Sequence, residues 1–262
     1  MGDVGFDFEA VDALDYDELR PTYAPEAVRW VAERAGLEPG SNVVDLAAGT
    51  GRLARSFAAL GHTVVAVEPA ANMRAVLRSS APEIAALAGT AEAIPLEDGV
   101  ADAVVVGNAF HHFDASLAFG QIRRVLRPDG ALALFWARSG GEQPGVLSIT
   151  RDIDRVVERV RGSSEIVDAY WAWFDPPEEV DGFTAFERRS FPVAHVMPSS
   201  RIADLYATSS DIASLPSTVR ENLLARIGDL TTGLPETIEI PERSDVQLCF
   251  RASADPDATD PA

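Results

Sequence analysis

A short stretch of the chain combines the residue types that hold a charged small molecule against the backbone. Residues 42–51 read Asn-Val-Val-Asp-Leu-Ala-Ala-Gly-Thr-Gly, a β-branched run that ends in small residues. Glycine lacks a Cβ and tolerates positive φ, so a ligand can approach such a turn closely. The helix-like segment that follows offers free backbone N–H groups at its start. Asp45, inside the strand end, suits a cationic ligand better than a pyrophosphate.

An acidic residue at the end of the next strand points to a ribose. Glu68 follows Gly49 by 19 residues, and residues 49–54 fit the pattern G-x-G-x-x-A. A carboxylate there can accept two hydrogen bonds from a ribose diol, and the whole pattern is the dinucleotide fingerprint. The alternative is a nucleoside without phosphate, which Asp45 favours. An NAD-dependent oxidoreductase would also need a hydride-transfer acid such as a Tyr/Lys pair, and the chain contains no lysine.

Composition narrows the possible partners. The chain has 262 residues, of which 41 are acidic and 22 basic, for a net charge of −19. Phosphate binding requires basic patches, so neither a nucleic acid nor an anionic membrane surface is an expected partner. The acidic N-terminus and the lack of an apolar run of about 20 residues predict a cytoplasmic protein without a membrane span. The single cysteine, Cys249, lies in an apolar alternation that predicts a strand, and no metal site is expected.

The order of the apolar segments predicts an α/β fold. Val104, Val105 and Val106 are continuous rather than alternating, which is typical of parallel strands buried on both faces. Strand-like segments alternate with helical ones over the first half of the chain, as in a doubly wound sheet. The predicted strands are 42–47, 63–67, 84–89, 101–107, 131–136, 183–195 and 245–251, and the predicted helices are 25–35, 51–60, 70–79, 115–126, 142–161 and two within 199–229.

Changes of pattern along the chain divide it into four parts. Residues 1–36 are expected to form an N-terminal arm with a lid helix, and residues 37–140 the ligand-binding core. Residues 141–252 are expected to complete the sheet and to carry a helical insertion. The aromatic cluster at 170–174 is expected to form a core there, and lining an acceptor site is its alternative role. The Asp/Pro/Ala-rich residues 253–262 predict a disordered tail.

Several segments together resemble one enzyme family. Their order and spacing are similar to those of class I S-adenosylmethionine-dependent methyltransferases, in a branch that acts on small molecules. The segments are 16–23 (Tyr-x-x-x-Arg-Pro-x-Tyr), 42–51, 89–96, 109–114 (Ala-Phe-His-His-Phe-Asp) and 123–130. The resemblance implies a Rossmann-like, mostly parallel seven-stranded sheet with an antiparallel last strand and a helical lid. It also implies methyl transfer from S-adenosylmethionine to a small-molecule acceptor by in-line displacement.

The resemblance also implies roles for individual residues. The methionine end of S-adenosylmethionine would contact Asp45, Ala47, Gly49 and Gly51, and the ribose would contact Glu68. The adenine would contact Met73, Ala91 and Glu92. Asn108 would lie at the ligand-binding end of the fourth strand, and Arg20 and Tyr23 would cap the pocket. Met73 has the alternative role of a core residue, and Glu92 that of an exposed carboxylate at a helix start. Ala47 stands where many relatives carry glycine, and it is accommodated if its φ is negative.

Two adjacent histidines are the candidate catalytic residues. His111 and His112 follow the fourth strand, and a base is needed only if the acceptor starts protonated. Stacking on the cofactor or packing under the lid are alternative roles. Two alternative functions also remain at this stage: a protein that binds S-adenosylmethionine for cyclisation or for structure, and an NAD-dependent oxidoreductase. The sequence does not identify the acceptor or the oligomeric state.

Overall fold

A seven-stranded sheet is the framework of the molecule, whose computed structural model describes residues 8–139, 146–161 and 180–253. The strand order in the sheet is β3-β2-β1-β4-β5-β7-β6. The strands are β1 (Asn42–Leu46), β2 (Thr63–Val67), β3 (Ala85–Leu87), β4 (Ala101–Gly107), β5 (Leu126–Ser139), β6 (Glu187–Pro198) and β7 (Thr237–Phe250).

Helices cover both faces of the sheet. Their local signals are clear: the side chain of Asp12 caps the first helix, that of Asp114 caps the fifth, and Pro25 opens the second. The helices are α1 (Ala13–Leu19), α2 (Pro25–Arg34), α3 (Arg52–Ala58), α4 (Ala71–Ser80), α5 (Ala115–Val125), α6 (Val146–Arg161), α7 (Ile202–Ala207), α8 (Ser210–Ala213) and α9 (Ser217–Leu230). Short 3-10 helices lie at Phe8–Ala10, Phe110–His112 and Ser199–Arg201.

The first five strands form the parallel part of the sheet. Val44 of β1 pairs with Val65 of β2 on one side and with Val104 of β4 on the other. Strands β3 and β5 extend the parallel pairing outward from β2 and β4. The chain therefore runs from β1 through β2 to the edge strand β3, and then crosses back to β4 on the other side of β1. The carboxyl ends of β1 and β4 flank the crevice in which open α/β sheets bind ligands.

The last strand runs against its neighbours. β7 is antiparallel to both β5 and β6, so the predicted antiparallel last strand is confirmed. It begins at Thr237 rather than at residue 245, because the alternation of buried and exposed residues continues through a segment that contains Pro241 and several charges. Cys249 is buried in this strand, as predicted. The fold is thus the predicted doubly wound, mostly parallel α/β sheet.

A helical insertion packs on the extended ends of β6 and β7. Its apolar cluster is shared by α6, α7, α8, α9 and both strands, and Leu19 of α1 joins it. Arg201 contacts Asp15 at 2.6 Å and Glu18 at 3.3 Å, which links α1 to the insertion by ion pairs. The cluster consists of Leu19, Ile153, Val156, Val157, Met197, Ile202, Ile212, Leu223, Ile227, Ile238 and Ile240. The predicted helical insertion is therefore present, α1 lies beside it, and its role as a lid stays a prediction.

Within the residues that the structure describes, no helix is long and apolar enough to cross a membrane. The aromatic cluster at 170–174 and residues 254–262 of the predicted tail lie outside the described residues. The division of the chain into four parts stays a prediction.

Candidate functional site

The turn after β1 contains three residues in the left-handed region of φ. Ala47, Gly49 and Gly51 have φ of 55°, 56° and 80°. A Cβ on Gly51 would lie 2.1 Å from Cδ1 of Leu77, so this glycine permits close packing of α3 against α4. A Cβ on Gly49 would meet a single described atom within 4 Å, Cε1 of Tyr16 at 4.0 Å. Gly49 therefore leaves the backbone open to a ligand, whereas Gly51 serves the packing.

The condition stated for an alanine at position 47, a negative φ, is not met. The φ of Ala47 is 55°. The turn is held by the N–H of Ala48, which donates to the carbonyl of Val67 at 3.2 Å, and by the N–H of Gly51, which donates to the carbonyl of Ala48 at 2.8 Å. A left-handed alanine costs roughly 1–2 kcal/mol because its Cβ crowds the following carbonyl.

Replacing this alanine with glycine is expected to stabilise the protein. Ala47→Gly removes the Cβ crowding but adds freedom to the unfolded chain, so we expect a net gain of about 0.5–1 kcal/mol in the free energy of unfolding. Ala48→Gly is the matched control, since Ala48 has no positive φ. It should lose about 0.5–1 kcal/mol. Urea denaturation measures both, and a loss of stability in Ala47→Gly would contradict the strained conformation.

Asp45 lines the cavity over the carboxyl ends of β1 and β4 and carries a buried oxygen. Its Oδ2 accepts a hydrogen bond from the N–H of Ala54 at 2.8 Å. Its Oδ1 is buried and has no hydrogen-bond partner in the described structure. Burial raises the pKa of Asp45 to about 8, the Ala54 N–H opposes that rise, and Glu68 adds to it. A buried acceptor without a partner is rare in folded proteins, and a ligand cation would satisfy it.

Glu68 joins the turns that follow β1 and β2. Its Oε2 accepts from the N–H of Gly49, and its Oε1 accepts from the N–H of Ala70, both at 2.8 Å. Burial raises the pKa of Glu68, and these two hydrogen bonds oppose the rise. Each carboxylate oxygen has a further lone pair for a ribose hydroxyl. The structure places Glu68 beside the glycine turn, and its ribose role stays a prediction.

A cavity lies over the carboxyl ends of β1 and β4. Its volume is about 150 Å³. The predicted residues that line it are Arg20, Tyr23, Asp45, Ala47, Gly49 and Asn108. It is also lined by five polar residues that the sequence analysis did not single out, namely Tyr16, Arg52, Tyr206, Ser209 and Glu242. The predicted methionine-end and lid residues are therefore brought together, with Gly51 just behind them.

Tyr23 and Asn108 form one wall of this cavity. Asn108 has a φ of 51°, and its Oδ1 accepts from the N–H of Ala137 at 2.8 Å. Tyr23 packs edge-on against Phe135 with ring centroids 5.5 Å apart. A Cβ on Gly107 would lie 2.4 Å from the Tyr23 hydroxyl oxygen. The glycine that ends β4 thus makes room for the tyrosine on the ligand side of the sheet.

The residues predicted to meet the adenine lie outside the lining of this cavity. Met73 is buried in a small cluster with Val11 and Ala70. Ala91 is buried in the core between the sheet and α5. Oε1 of Glu92 accepts from the N–H of Asp114 at 3.0 Å, which links the loops after β3 and β4. These contacts give each residue a structural role, and the adenine contacts stay predictions.

His111 and His112 lie in the 3-10 helix after β4 and do not line the cavity. Their ring centroids are 3.8 Å apart, and that of His111 lies 5.7 Å from that of Trp136. Burial, and then the neighbouring His112, lower the pKa of His111 to about 3. The imidazole of His111 is therefore neutral at physiological pH and a weak base. The placement favours a packing role, and catalysis by either histidine stays a prediction.

Glu242 of β7 is a cavity residue that no local sequence signal marks. Its side chain is buried, and its Oε2 has no hydrogen-bond partner among the described residues. Burial raises the pKa of Glu242 to about 7, while Arg20 and Arg52 act to lower it. Arg52 could have been identified as a site residue from the sequence, because it directly follows the glycine turn. Glu242 reaches the site only through the pairing of β7 with β5, almost 200 residues after β1.

Comparison with known proteins assigns the chain to a family. Residues 44–134 match the family model of a methyltransferase domain. An uncharacterized methyltransferase of Mycobacterium tuberculosis is 34% identical over 220 residues, which cover 84% of this chain and 84% of that protein. The chain belongs to the class I S-adenosylmethionine-dependent methyltransferase family.

The similarity to other methyltransferases extends along the chain. An uncharacterized methyltransferase-like protein of Schizosaccharomyces pombe is 27% identical over 252 residues, which cover 96% of this chain and 95% of that protein. A solved structure from Anaeromyxobacter dehalogenans, provisionally described as a type II methyltransferase, has a TM-score of 0.59 at 22% identity and covers 89% of this chain and 97% of its own. The latter likeness shows the shared fold. Family membership favours methyl transfer over the NAD-dependent alternative.

Proposed function

We propose that this methyltransferase transfers the methyl group of S-adenosylmethionine to a small-molecule acceptor by in-line displacement in the cavity over β1 and β4. The observation that carries the proposal is the position of the buried, unpartnered Asp45 Oδ1 beside the open glycine turn. S-adenosylmethionine supplies an electrophilic methyl carbon on a sulfonium. The protein's part is therefore to orient the two reactants and to exclude water.

The residues around the turn fit the chemical groups of S-adenosylmethionine. Asp45 offers its free oxygen to the ammonium group of the methionine end, and ionisation of Asp45 would follow from that pairing. The open backbone at Gly49 admits close contact. Glu68, already fixed by two backbone N–H groups, presents oriented lone pairs to the ribose hydroxyls.

The cover of the cavity supports a small acceptor rather than a polymer. Tyr16 and Arg20 come from α1 and its end, and Tyr206 comes from α7. α1 is held by the ion pair of Asp17 with Arg55 at 2.6 Å and by the contacts of Arg201 described above. Elements joined in this way restrict the opening over the cavity. The net charge of −19 also disfavours a nucleic-acid acceptor.

Calorimetric titration tests the proposed donor and the role of Glu68. We expect S-adenosylmethionine and S-adenosylhomocysteine to bind and NAD not to bind. Glu68→Ala should weaken binding of S-adenosylhomocysteine by about 1–3 kcal/mol, since it removes charge-assisted hydrogen bonds and releases the Gly49 N–H. Glu83→Ala, at an exposed position before β3, is the matched control and should bind normally. Binding of NAD in place of S-adenosylhomocysteine would refute the donor assignment, and an unchanged affinity in Glu68→Ala would remove Glu68 from the ribose site.

A further inference from the structure

The segment 8–20, here called the strap, contacts elements on both sides of the cavity. At its beginning, Oε1 of Glu9 accepts a hydrogen bond from the N–H of Ala71 at 2.5 Å, at the start of α4 and three residues after Glu68. At its other end, Leu19 is buried in the apolar cluster of the helical insertion. The strap therefore connects the side of the site proposed for the donor with the insertion.

The middle of the strap lies on the glycine turn. Cε1 of Tyr16 lies 4.0 Å from the position that a Cβ on Gly49 would take. Nη1 of Arg52, which directly follows the turn, donates to the carbonyl of Asp17 at 2.8 Å. With the strap in this position the cavity has a volume of about 150 Å³. Sites that hold a small molecule commonly measure roughly 300–1,000 Å³, so a nucleoside donor requires the strap to move.

One arginine of the insertion holds the strap with its whole guanidinium group. Nη2 of Arg201 lies 2.6 Å from Oδ1 of Asp15, and its Nη1 lies 3.3 Å from Oε1 of Glu18, both on α1. Its Nε lies 2.6 Å from Oδ2 of Asp204 on α7, which orients the guanidinium from the side of the insertion. Arg201 therefore joins the helix of the strap to the insertion through all three of its nitrogens.

The contacts of Arg201 can open without unfolding the sheet. The side chains of Arg201, Asp15 and Glu18 are 30%, 40% and 66% exposed, so water can solvate each charge when the pairs separate. Exposed ion pairs contribute little stability individually and are weakened by salt. Helix α1 has seven residues, of which two are buried, and so short a helix depends on its tertiary contacts. The strap is thus attached by contacts that form and break reversibly.

We propose that the strap gates the donor site and that Arg201 is the clasp that sets the rate of donor exchange. S-adenosylmethionine enters, and S-adenosylhomocysteine leaves, when the ion pairs of Arg201 open and α1 moves away from the glycine turn. The pairs form again over the bound donor, as in enzymes whose active sites close by the movement of a weakly held segment. This inference rests on the proposed function, because it concerns the donor of that reaction. The opening of the strap itself is measured without a ligand.

The rate constants of S-adenosylhomocysteine binding, measured by surface plasmon resonance, test the proposal. A clasp closes the strap in the free and in the bound protein, so its loss should raise the association and dissociation rate constants together. We expect Arg201→Gln to raise both by about 3–10-fold and to change Kd by less than about 2-fold. Asp15→Asn should raise both by a smaller factor, and adding it to Arg201→Gln should have little further effect. Arg29→Gln, which breaks an exposed ion pair on α2, is the matched control and should leave both rate constants unchanged.

Ionic strength gives a second signature of the clasp. S-adenosylhomocysteine carries one positive and one negative charge at pH 7, so screening has little direct effect on its encounter with the protein. Screening of the exposed Arg201 pairs should raise both rate constants of the natural protein by about 2–5-fold between about 20 mM and about 500 mM NaCl. The same change of salt should alter the rate constants of Arg201→Gln by a smaller factor. An equal salt dependence in the two proteins would contradict the clasp.

The outcomes separate this inference from the proposed function. Binding of S-adenosylhomocysteine with unchanged rate constants in Arg201→Gln would overturn the clasp and leave the donor assignment intact. A rise in the dissociation rate constant alone would also overturn it, because that result would make Arg201 a ligand contact. Hydrogen exchange without ligand covers a protein that fails to bind S-adenosylhomocysteine. Faster exchange of residues 13–19 in Arg201→Gln would then support the clasp and refute the donor, and equal exchange would overturn both. Thermal unfolding of each variant verifies that it is folded.

Discussion

Asp45→Asn is expected to make the ligand-free protein more stable at pH 7 and less able to bind S-adenosylmethionine. The pKa of Asp45 is about 8 in the folded state against 3.8 for an ordinary aspartate. A raised carboxyl pKa means that stability is greatest below the unfolded value and falls as the pH rises toward the folded value. By pH 7 the loss is on the order of 4 kcal/mol.

Asp45→Asn removes this pH dependence, but it lowers the stability by an amount that does not change with pH. Its amide oxygen can keep the hydrogen bond from Ala54, but its amide nitrogen replaces Oδ1 and stays buried without an acceptor, which costs about 1–3 kcal/mol. We therefore expect Asp45→Asn to be more stable than the natural protein by about 1–3 kcal/mol at pH 7–8 and less stable near pH 4. Urea denaturation near pH 4 and at pH 7–8 measures this change of sign in the stability difference between variant and natural protein. Asp229→Asn, at an exposed site on α9, should show no such change of sign.

The same carboxyl links ligand binding to proton release. If Asp45 is mainly protonated in the free protein at pH 7, pairing with the ammonium of S-adenosylmethionine must ionise it. Calorimetry in two buffers of different ionisation enthalpy should then detect a proton released on binding, and Asp45→Asn should bind at least about 10-fold more weakly and release none. A heat of binding that is independent of the buffer, together with normal affinity in the variant, would show that Asp45 does not contact the ammonium.

The strand, turn and helix around Asp45 could be predicted from the sequence because they are encoded locally. The β-branched run, the glycines and Asp45 lie within ten residues, so the strand, turn and helix follow from short-range chemistry. The left-handed Ala47 was not predicted, because alanine gives no signal for positive φ. Its conformation is imposed by the hydrogen bonds that hold the turn between β1 and β2.

The contribution of β7 to the cavity could not be read from the sequence for a different reason. Glu242 approaches Arg20 and Arg52 only because β7 inserts between β5 and β6, and the pairing of β7 depends on tertiary structure. From the sequence alone, a charged residue in a strand with one exposed face is interpreted as solvated, because its neighbours in the sheet are not known. His111 and His112 show the converse: their types suggest catalysis, whereas His111 packs beside Trp136 and neither histidine lines the cavity.

Glu242→Gln provides a second large and independent effect on stability. The pKa of Glu242 is about 7 in the folded protein against 4.5 for an ordinary glutamate. The stability of the natural protein should therefore decline as the pH rises from about 4.5 to about 7, by roughly 3 kcal/mol, and then change little. Glutamine does not ionise, so the variant should gain about 3 kcal/mol relative to the natural protein at pH 8 and almost nothing at pH 4.5.

A control on the same strand isolates the effect of burial. Glu239→Gln makes the same substitution at an exposed position of β7, where the carboxylate is hydrated in both states, and we expect a change below about 0.5 kcal/mol at either pH. Arg52→Gln should act in the opposite direction at pH 8, because it removes a positive charge that stabilises the ionised Glu242. Equal stabilities of Glu242→Gln and the natural protein at pH 8 would mean that the arginines fully compensate the buried charge.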